Sequence, residues 1–390
     1  MADEAETAAV AAGDDDRLRI VYELACEHDE DAFARAREIA FEQTVELPEA
    51  CVPAALQRAV VARLEGMERL DKRLWRATLS YAAEIVGGEV PQLLNVLFGN
   101  VSLFDGVRVV DVGWPRSLLE SLPGPAFGIE GVRRLVPQAE GRALLCTALK
   151  PIGLTSRELA ALAGRFARGG VDVIKDDHGL ADQGTAPFAE RVARCQQEIR
   201  RAGEETGAES LYLPQLTGPV DELPARLELL RREGVRGALV SPFVLGLDVL
   251  RWLAKTSGLV LFAHPTWSGT LFGRGHGISP EVVYGDLLRL LGADGVIYVN
   301  AGGRFPVAVE TCEAINARLR RPLEGVRPAF PVAGGGVKVE TLPRWAARYG
   351  PDTIFLVGGS LYLQQDLEQA SRQLIQALAW QGSPARAGRG

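Results

Sequence analysis

Gly169-Gly170-Val171-Asp172-Val173-Ile174-Lys175-Asp176-Asp177-His178 begins like a buried strand and ends in four polar side chains. Two glycines before a Val/Ile run are the pattern of a short strand covered on both faces. A lysine, two aspartates and a histidine at its end are costly to bury unless paired, hydrogen-bonded or on a metal. An isolated Lys-Asp-Asp also suits a solvated strand-to-loop junction. In a parallel α/β barrel, by contrast, the C-terminal end of a strand is the functional face. The surrounding sequence has to choose between the two.

From about Gly141 onward, strand and helix patterns alternate regularly. Strands are predicted at 143–149, 171–175, 210–216, 237–243, 259–264, 295–300, 327–333 and 353–357. Helices are predicted between and after them, at 156–168, 187–204, 221–232, 248–256, 280–291, 307–318, 340–349 and 367–379. Eight strand–helix units in roughly 240 residues are the arithmetic of a (β/α)8 TIM barrel, closed by right-handed crossovers. A doubly wound open sheet is the alternative, weakened in its dinucleotide-binding form because the first strand–helix turn has no GxGxxG.

Upstream the rhythm is irregular. Residues 17–27 and 73–85 alternate as strands, 31–41 and 91–104 are spaced as helices, 107–112 is a strand, and 57–70 is ambiguous. This reads as an α+β unit of ferredoxin-like type. The expected organisation is therefore a disordered tail over 1–16, an N-terminal α+β domain over 17–138, the barrel over 139–381 and a frayed end over 382–390.

A chain of 390 residues with 47% hydrophobic content can bury more than one core. A net charge of −7 without a basic block argues against a nucleic-acid partner. Cys26, Cys51, Cys146, Cys195 and Cys312 have no ligand spacing and are expected as reduced thiols, with Cys146 in the core. No 18-residue apolar run and no signal-peptide pattern appear, so a cytoplasmic protein without membrane contact is expected.

The residues following the barrel strands form a coherent set. They are Lys150-Pro151, then Lys175, Asp177 and His178, then His264 with Pro265-Thr266-Trp267, then Asn300 to Arg304. Gly334-Gly335-Gly336 and Gly358-Gly359-Ser360 close the last two strands, where barrels commonly bind phosphate through backbone N–H groups. A phosphorylated ligand is expected at Gly335, Gly336, Gly358 and Gly359. Lysine is an odd metal ligand unless carbamylated by CO2, which turns Lys175 into an oxygen donor suited to Mg²⁺. The simpler reading is an ion pair of Lys175 with Asp176 or Asp177.

Taken together, ALKPIGL (148–154), GGVDVIKDDHGLADQ (169–183), the His264 strand, RGHGIS (274–279), PVAGGGV (331–337) and LVGGS (356–360) resemble the RuBisCO large-subunit superfamily in order and spacing. FEQTVELP (41–48) and FGN (98–100) extend the resemblance over nearly the whole chain. The departures lie where the family's carboxylases grip substrate or CO2. Their second lysine of KPK is Ile152, their glutamate of KDDE is His178, and their arginine of HR is Pro265. The serine of their SGG is Gly334, and the loop 300–305 lacks their lysine. The pattern is that of a RuBisCO-like (form IV) protein that does not fix CO2.

The resemblance implies roles residue by residue. Lys175 as carbamate, Asp177 and His178 would hold Mg²⁺; His178 is the poor match, since imidazole suits that ion badly, and acid/base work is its other use. Lys150 would move protons on the bound enediolate, and His264 would bind substrate. Glu42 and Asn100 would reach the neighbouring subunit's barrel, implying a homodimer or an assembly of dimers with shared active sites. Asn100 after Gly99 also suits a plain helix cap.

The retained chemistry is removal of a proton or carboxylate beside a carbonyl. The expected activity is a Mg²⁺-dependent enolising isomerase or decarboxylase acting on a phosphorylated keto-sugar derivative of the methylthioribulose or oxo-isoapionate type. Trp267 and Phe305 are candidate apolar walls for such a substrate. A non-catalytic sugar-phosphate-binding or regulatory protein on the same fold is the alternative.

Overall fold

The computed structural model describes residues 16–273 and 275–381, so the expected tails fall, apart from Asp16, outside the described residues. The chain divides into two compact units, Met1–Leu122 with Gly269–Val283, and Pro123–Ser268 with Tyr284–Gly390.

In the first unit, β1 (Arg17–Ala25), α1 (Asp29–Glu42), α2 (Ala54–Ala59), β2 (Arg63–Asp71), β3 (Leu74–Ala82), α3 (Val90–Phe98) and β4 (Val107–Gly113) follow in order. The sheet runs β4-β1-β3-β2, antiparallel throughout. That is the order of two interleaved βαβ units, the ferredoxin-like arrangement. In β1 every second residue (Leu18, Ile20, Tyr22, Leu24) is fully buried, as strand geometry requires. The ambiguous stretch 57–70 resolves into the end of α2 and edge strand β2. Nearly all of β2 is exposed, and its charges replace the alternation that would have marked a strand.

The second unit holds β5 (Leu144–Leu149), β6 (Val173–Asp176), β7 (Leu211–Leu213), β8 (Gly237–Val240) and β9 (Val260–Ala263). Between β9 and the rest, the chain forms a small ribbon of β10 (Phe272–Gly273) and β11 (His276–Ile278). This ribbon joins the first unit's sheet, with β11 parallel to β4. Strands this short and glycine-rich carry no periodic signal, and the sequence did not reveal them. β12 (Gly295–Val299), β13 (Phe330–Gly334) and β14 (Ile354–Leu356) complete the barrel.

The parallel barrel runs β7-β6-β5-β14-β13-β12-β9-β8. It closes where Leu216 N–H donates to Leu239 O at 2.8 Å and Leu239 N–H to Pro214 O at 2.9 Å. All eight predicted barrel strands are present, most of them shortened. β8 stops at Val240 because Pro242 opens a helical turn, Pro242–Leu245. β13 begins at Phe330 because the Arg327 carbonyl accepts from Arg289 Nε and the Pro328 carbonyl from Ile129 N–H. The helix expected over 280–291 is π-helical across Glu281–Leu287.

Inside the barrel, Leu144, Cys146, Val173, Leu211, Leu213, Leu239, Phe262, Ile297, Val332 and Ile354 form one core. Ile129 and Val132 of the helix Gly128–Arg134, with Val136 and Ala139, pack onto the same core from the strands' N-terminal ends. This explains why 123–138 groups with the barrel, whereas the sequence reading divided the chain at 138/139. Phe127 and Gly128 N–H groups donate to Asp294 Oδ1 at 2.7 and 2.8 Å, and Gly124 N–H donates to Leu290 O.

Candidate active site

The period of two that fills the barrel also builds its mouth. Core residues Val173, Leu213, Leu239 and Phe262 point inward, so the residues two places on face the same way: Lys175, Gln215, Ser241 and His264. These four end four consecutive strands of the barrel. Asp176, between Lys175 and Asp177, faces away. Its carboxylate accepts from Arg191 Nε at 3.0 Å, Tyr212 OH at 2.8 Å and Gln215 N–H at 3.1 Å. The ion pair of Lys175 with Asp176 is therefore not made. Lys175 Nζ donates instead to the Asp176 backbone carbonyl at 3.0 Å.

Lys175 is buried, and that burial lowers its pKa, favouring the neutral amine; the Lys150 charge adds to the shift while Cys146 and Asp177 oppose it. Burial pushes the Asp177 carboxyl upward, but His178, Lys175 and Lys150 outweigh it and hold the group well below the usual carboxylate range. The contacts are loose: Lys150 Nζ lies 3.8 Å from Asp177 Oδ1, and His178 Nδ1 lies 3.6 Å from Asp177 Oδ2. Lys150 precedes a cis proline, and its backbone N–H donates to Tyr362 OH at 3.2 Å.

His178 and His264 stack, with ring centroids 4.3 Å apart and planes 12° from parallel. Burial is the main cause that pushes the His264 pKa down to about 2, with its neighbours Lys175 and His178 acting in the same direction. His264 Nδ1 accepts from Thr266 N–H at 3.1 Å, which assigns the proton of the neutral ring to Nε2. His264 is thus a fixed, uncharged hydrogen-bond donor.

The glycine turns differ among themselves. A Cβ on Gly336 would lie 2.5 Å from the Asn300 carbonyl oxygen and 2.7 Å from that of Ala301, so this glycine lets two loop backbones touch. Gly335 has φ of 73° and meets only Val299 and Phe305 at ordinary contact distance. A Cβ on Gly358 would sit 3.6 Å from Lys150 Nζ, and one on Gly359 would meet nothing within 4 Å. Asn300 is turned inward, accepting from Tyr349 OH at 2.8 Å. Trp267 is 67% exposed and holds φ of 69°, unusual for a bulky residue, while Phe305 is exposed beside Arg304.

Glu42 and Asn100 lie in the first unit and bond to each other. Asn100 Nδ2 donates to Glu42 Oε1 at 2.9 Å and to Glu46 Oε1 at 3.2 Å. The side chain therefore serves these carboxylates and makes no cap to α3, whose C-cap is Gly99.

Residues 128–377 match the family model described as the ribulose bisphosphate carboxylase large chain, catalytic domain. The chain belongs to the RuBisCO large-chain family. It is 38% identical over 354 residues to a 5-methylthioribulose-1-phosphate isomerase of Rhodospirillum rubrum, covering 90% of this chain and 93% of that one. It is 31% identical to a 2,3-diketo-5-methylthiopentyl-1-phosphate enolase of Bacillus licheniformis, over 76% of this chain and 74% of that one. Among solved structures, the Rubisco-like protein from Rhodopseudomonas palustris superposes with a TM-score of 0.85 at 34% identity, covering 96% and 99% of the two chains. A dimeric archaeal Rubisco from Hyperthermus butylicus gives 0.83 at 28% identity, covering 94% and 91%.

Within this family the mouth of the barrel can be tested against a divalent cation. Among the described residues, no three His, Cys, Asp or Glu side chains come together as a metal site. The unmodified mouth offers one carboxylate, Asp177, and the imidazole of His178; the second imidazole, His264, has Nδ1 occupied by Thr266 N–H and its proton on Nε2. A carbamate on the buried Lys175 would supply the second oxygen donor that a hard cation prefers. The donor set fits on that condition, with His178 its weakest member. Gln215 and Ser241 belong to the same ring of residues and were not singled out from the sequence. The predicted strands 210–216 and 237–243 ran past both, so neither stood out as a residue following a strand. No helix among the described residues is long and apolar enough to cross a membrane.

Proposed function

We propose that this RuBisCO-family chain is an enolising enzyme, an isomerase or decarboxylase of a phosphorylated keto-sugar derivative, and that it does not fix CO2. The observation that carries the reading is Lys175: a buried amine, pushed towards neutrality by burial, between an acidic Asp177 and the neutral donor His264. Lys175 as carbamate and Asp177 would hold Mg²⁺, with His178 a candidate third ligand. When bound, the cation supplies Lewis-acid stabilisation of the negative charge that develops on a carbonyl oxygen.

The chain's own residues account for the rest. Lys150, only 3.8 Å from Asp177, is the candidate to take and return the proton on the carbon beside the carbonyl. His264 donates from Nε2 to a substrate oxygen without adding charge. Gly335, Gly336, Gly358 and Gly359 are the candidate phosphate cradle. Returning the proton to the neighbouring carbon isomerises the substrate, whereas losing CO2 instead of a proton reaches the same enolate. The Rhodospirillum relative, matched over nearly the full length of both chains, favours isomerisation and a methylthio-ketose phosphate. The absence of lysine from 300–305, together with Ile152, Pro265 and Gly334, argues against carboxylation. The dimeric Hyperthermus relative supports a homodimer or assembly of dimers, in which Glu42 and Asn100 would complete the partner's site, in a cytoplasmic enzyme.

Proton NMR in D2O with Mg²⁺, bicarbonate and 5-methylthioribulose 1-phosphate tests the reading. Deuterium entering beside the carbonyl with all carbons retained is expected. CO2 release from a keto-acid phosphate would make it a decarboxylase. Tight sugar-phosphate binding with no exchange at any divalent metal would replace both with the binding-protein reading.

A further inference from the structure

Gln215 and Ser241 occupy the arc of the barrel mouth between Lys175 and His264. Gln215 is 1% exposed and Ser241 4%. Gln215 Nε2 donates to Ser241 Oγ at 3.1 Å. Its amide oxygen Oε1 is fully buried and has no hydrogen-bond partner among the described residues. A buried carbonyl oxygen without a donor is uncommon in native proteins and calls for a partner. Since Ser241 Oγ accepts from Gln215, its own O–H remains available to donate. The pair thus presents one acceptor and one donor side by side, the complement of a hydroxyl group.

Both residues are held firmly. Gln215 N–H donates to Asp176 Oδ2 at 3.1 Å, so the backbone that places the amide is tied to the carboxylate fixed by Arg191. The Ser241 carbonyl accepts from Val244 and Leu245 N–H groups at 3.1 and 3.0 Å. On one side Lys175 ends the neighbouring strand. On the other, His264 N–H donates to Val240 O at 2.8 Å, one residue before Ser241. A polar group held this way at the end of an otherwise apolar barrel core is built for recognition, because two apolar residues would close the barrel with no unsatisfied atom.

We propose that Gln215 and Ser241 form a hydroxyl-recognising subsite that fixes one hydroxyl of the substrate's carbon chain. This rests on the enolising reading and assigns it a specificity-determining pair. Calorimetric titration of the full chain, with Mg²⁺ and bicarbonate, would use 5-methylthioribulose 1-phosphate and its 3-deoxy and 4-deoxy analogues. Wild type is expected to bind one deoxy analogue about 10- to 100-fold more weakly than the parent. Gln215→Met, which removes the unpaired oxygen at similar volume and should melt no lower than wild type, is expected to bind parent and that analogue equally. Ser241→Ala should reduce the discrimination to a lesser degree.

Undiminished discrimination in Gln215→Met would overturn the subsite while leaving the enolising reading intact. Failure of wild type to bind or exchange all three compounds would overturn both, before any variant is made. A crystal structure gives the independent check. A substrate hydroxyl at Gln215 Oε1 supports the subsite; one internal water held identically with and without ligand rejects it.

Discussion

The two ends of the barrel use the same residue types to opposite effect. At the N-terminal end, buried charged groups are held in dense hydrogen-bond networks. Asp172 takes two bonds from Arg142 and one from Leu145 N–H, all at 2.8 Å. Arg289 donates to the carbonyls of Arg318, Arg321, Val326 and Arg327 at 2.9 to 3.0 Å. At the C-terminal end, Lys150 and His178 stand 3.8 and 3.6 Å from Asp177, and Gln215 Oε1 has no partner among the described residues. Asp172 and Asp176 bracket one strand, each with its own arginine, while Lys175 and Asp177 lean into the mouth with no such partner. Completed networks hold a barrel together; groups left short of partners are where a ligand can complete them.

Exchanging side chains between these classes should break the comparison cleanly. Lys175→Met is expected to reduce deuterium exchange by at least about 10³-fold, the loss of roughly 4 kcal/mol of transition-state stabilisation. Its melting temperature should equal or exceed that of wild type, because a desolvated amine is removed. A Lys175→Met enzyme with undiminished exchange would dismiss the carbamate reading. Asp172→Asn should do the reverse, leaving Arg142 buried against a neutral partner at a cost of about 3–5 kcal/mol in urea denaturation. Its folded fraction should keep the wild-type exchange rate. If Asp172→Asn lost exchange but not stability, the division between the ends would be wrong.

The same division governs what the sequence disclosed. Lys175, Asp177 and His264 stand out because each terminates an apolar run, so the strand pattern and the anomaly are read together. Gln215 and Ser241 are 26 residues apart and acquire their relation only when β7 meets β8 at the barrel seam. Arg142 and Asp172 are likewise joined only through the β5–β6 pairing. Asp172 itself looked like one more residue of a strand. The β10–β11 ribbon stayed hidden because pairing to β4 is what makes five residues into strands. Local periodicity exposes side chains that break a run; it is silent about partners supplied by closure.

Asp294 makes the contrast depend on pH. Burial raises its carboxyl and the N–H groups of Leu261, Gly128 and Phe127 pull it only part of the way back, leaving it at about 6. With an unfolded value near 4, the folded state retains this proton where the unfolded state has released it. The group's stabilising contribution is therefore complete below pH about 4 and lost as pH rises through about 6. The full change is about 3 kcal/mol. Urea melts from pH 4 to 7 should show this decline in wild type and a shallower one in Asp294→Asn; parallel curves would show that Asp294 does not titrate in that range.

The smallest effects test whether all mouth glycines belong to the ligand. Gly336→Ala would drive a methyl against the Asn300 and Ala301 carbonyl oxygens, at 2.5 and 2.7 Å. Relief requires the loops to part, at about 1–3 kcal/mol. Gly359→Ala has open space around its Cβ and should leave the melting temperature within about 1 °C, equivalent to a few tenths of a kcal/mol. If its N–H helps hold a phosphate, KM should rise several-fold with kcat little changed, since that contact is shared by ground and transition states. An unchanged KM in Gly359→Ala would move the phosphate away from this turn. Gly336 would then be a packing residue that happens to lie at the mouth, and the unsatisfied polar arc from Lys175 to His264 would alone mark where the substrate binds.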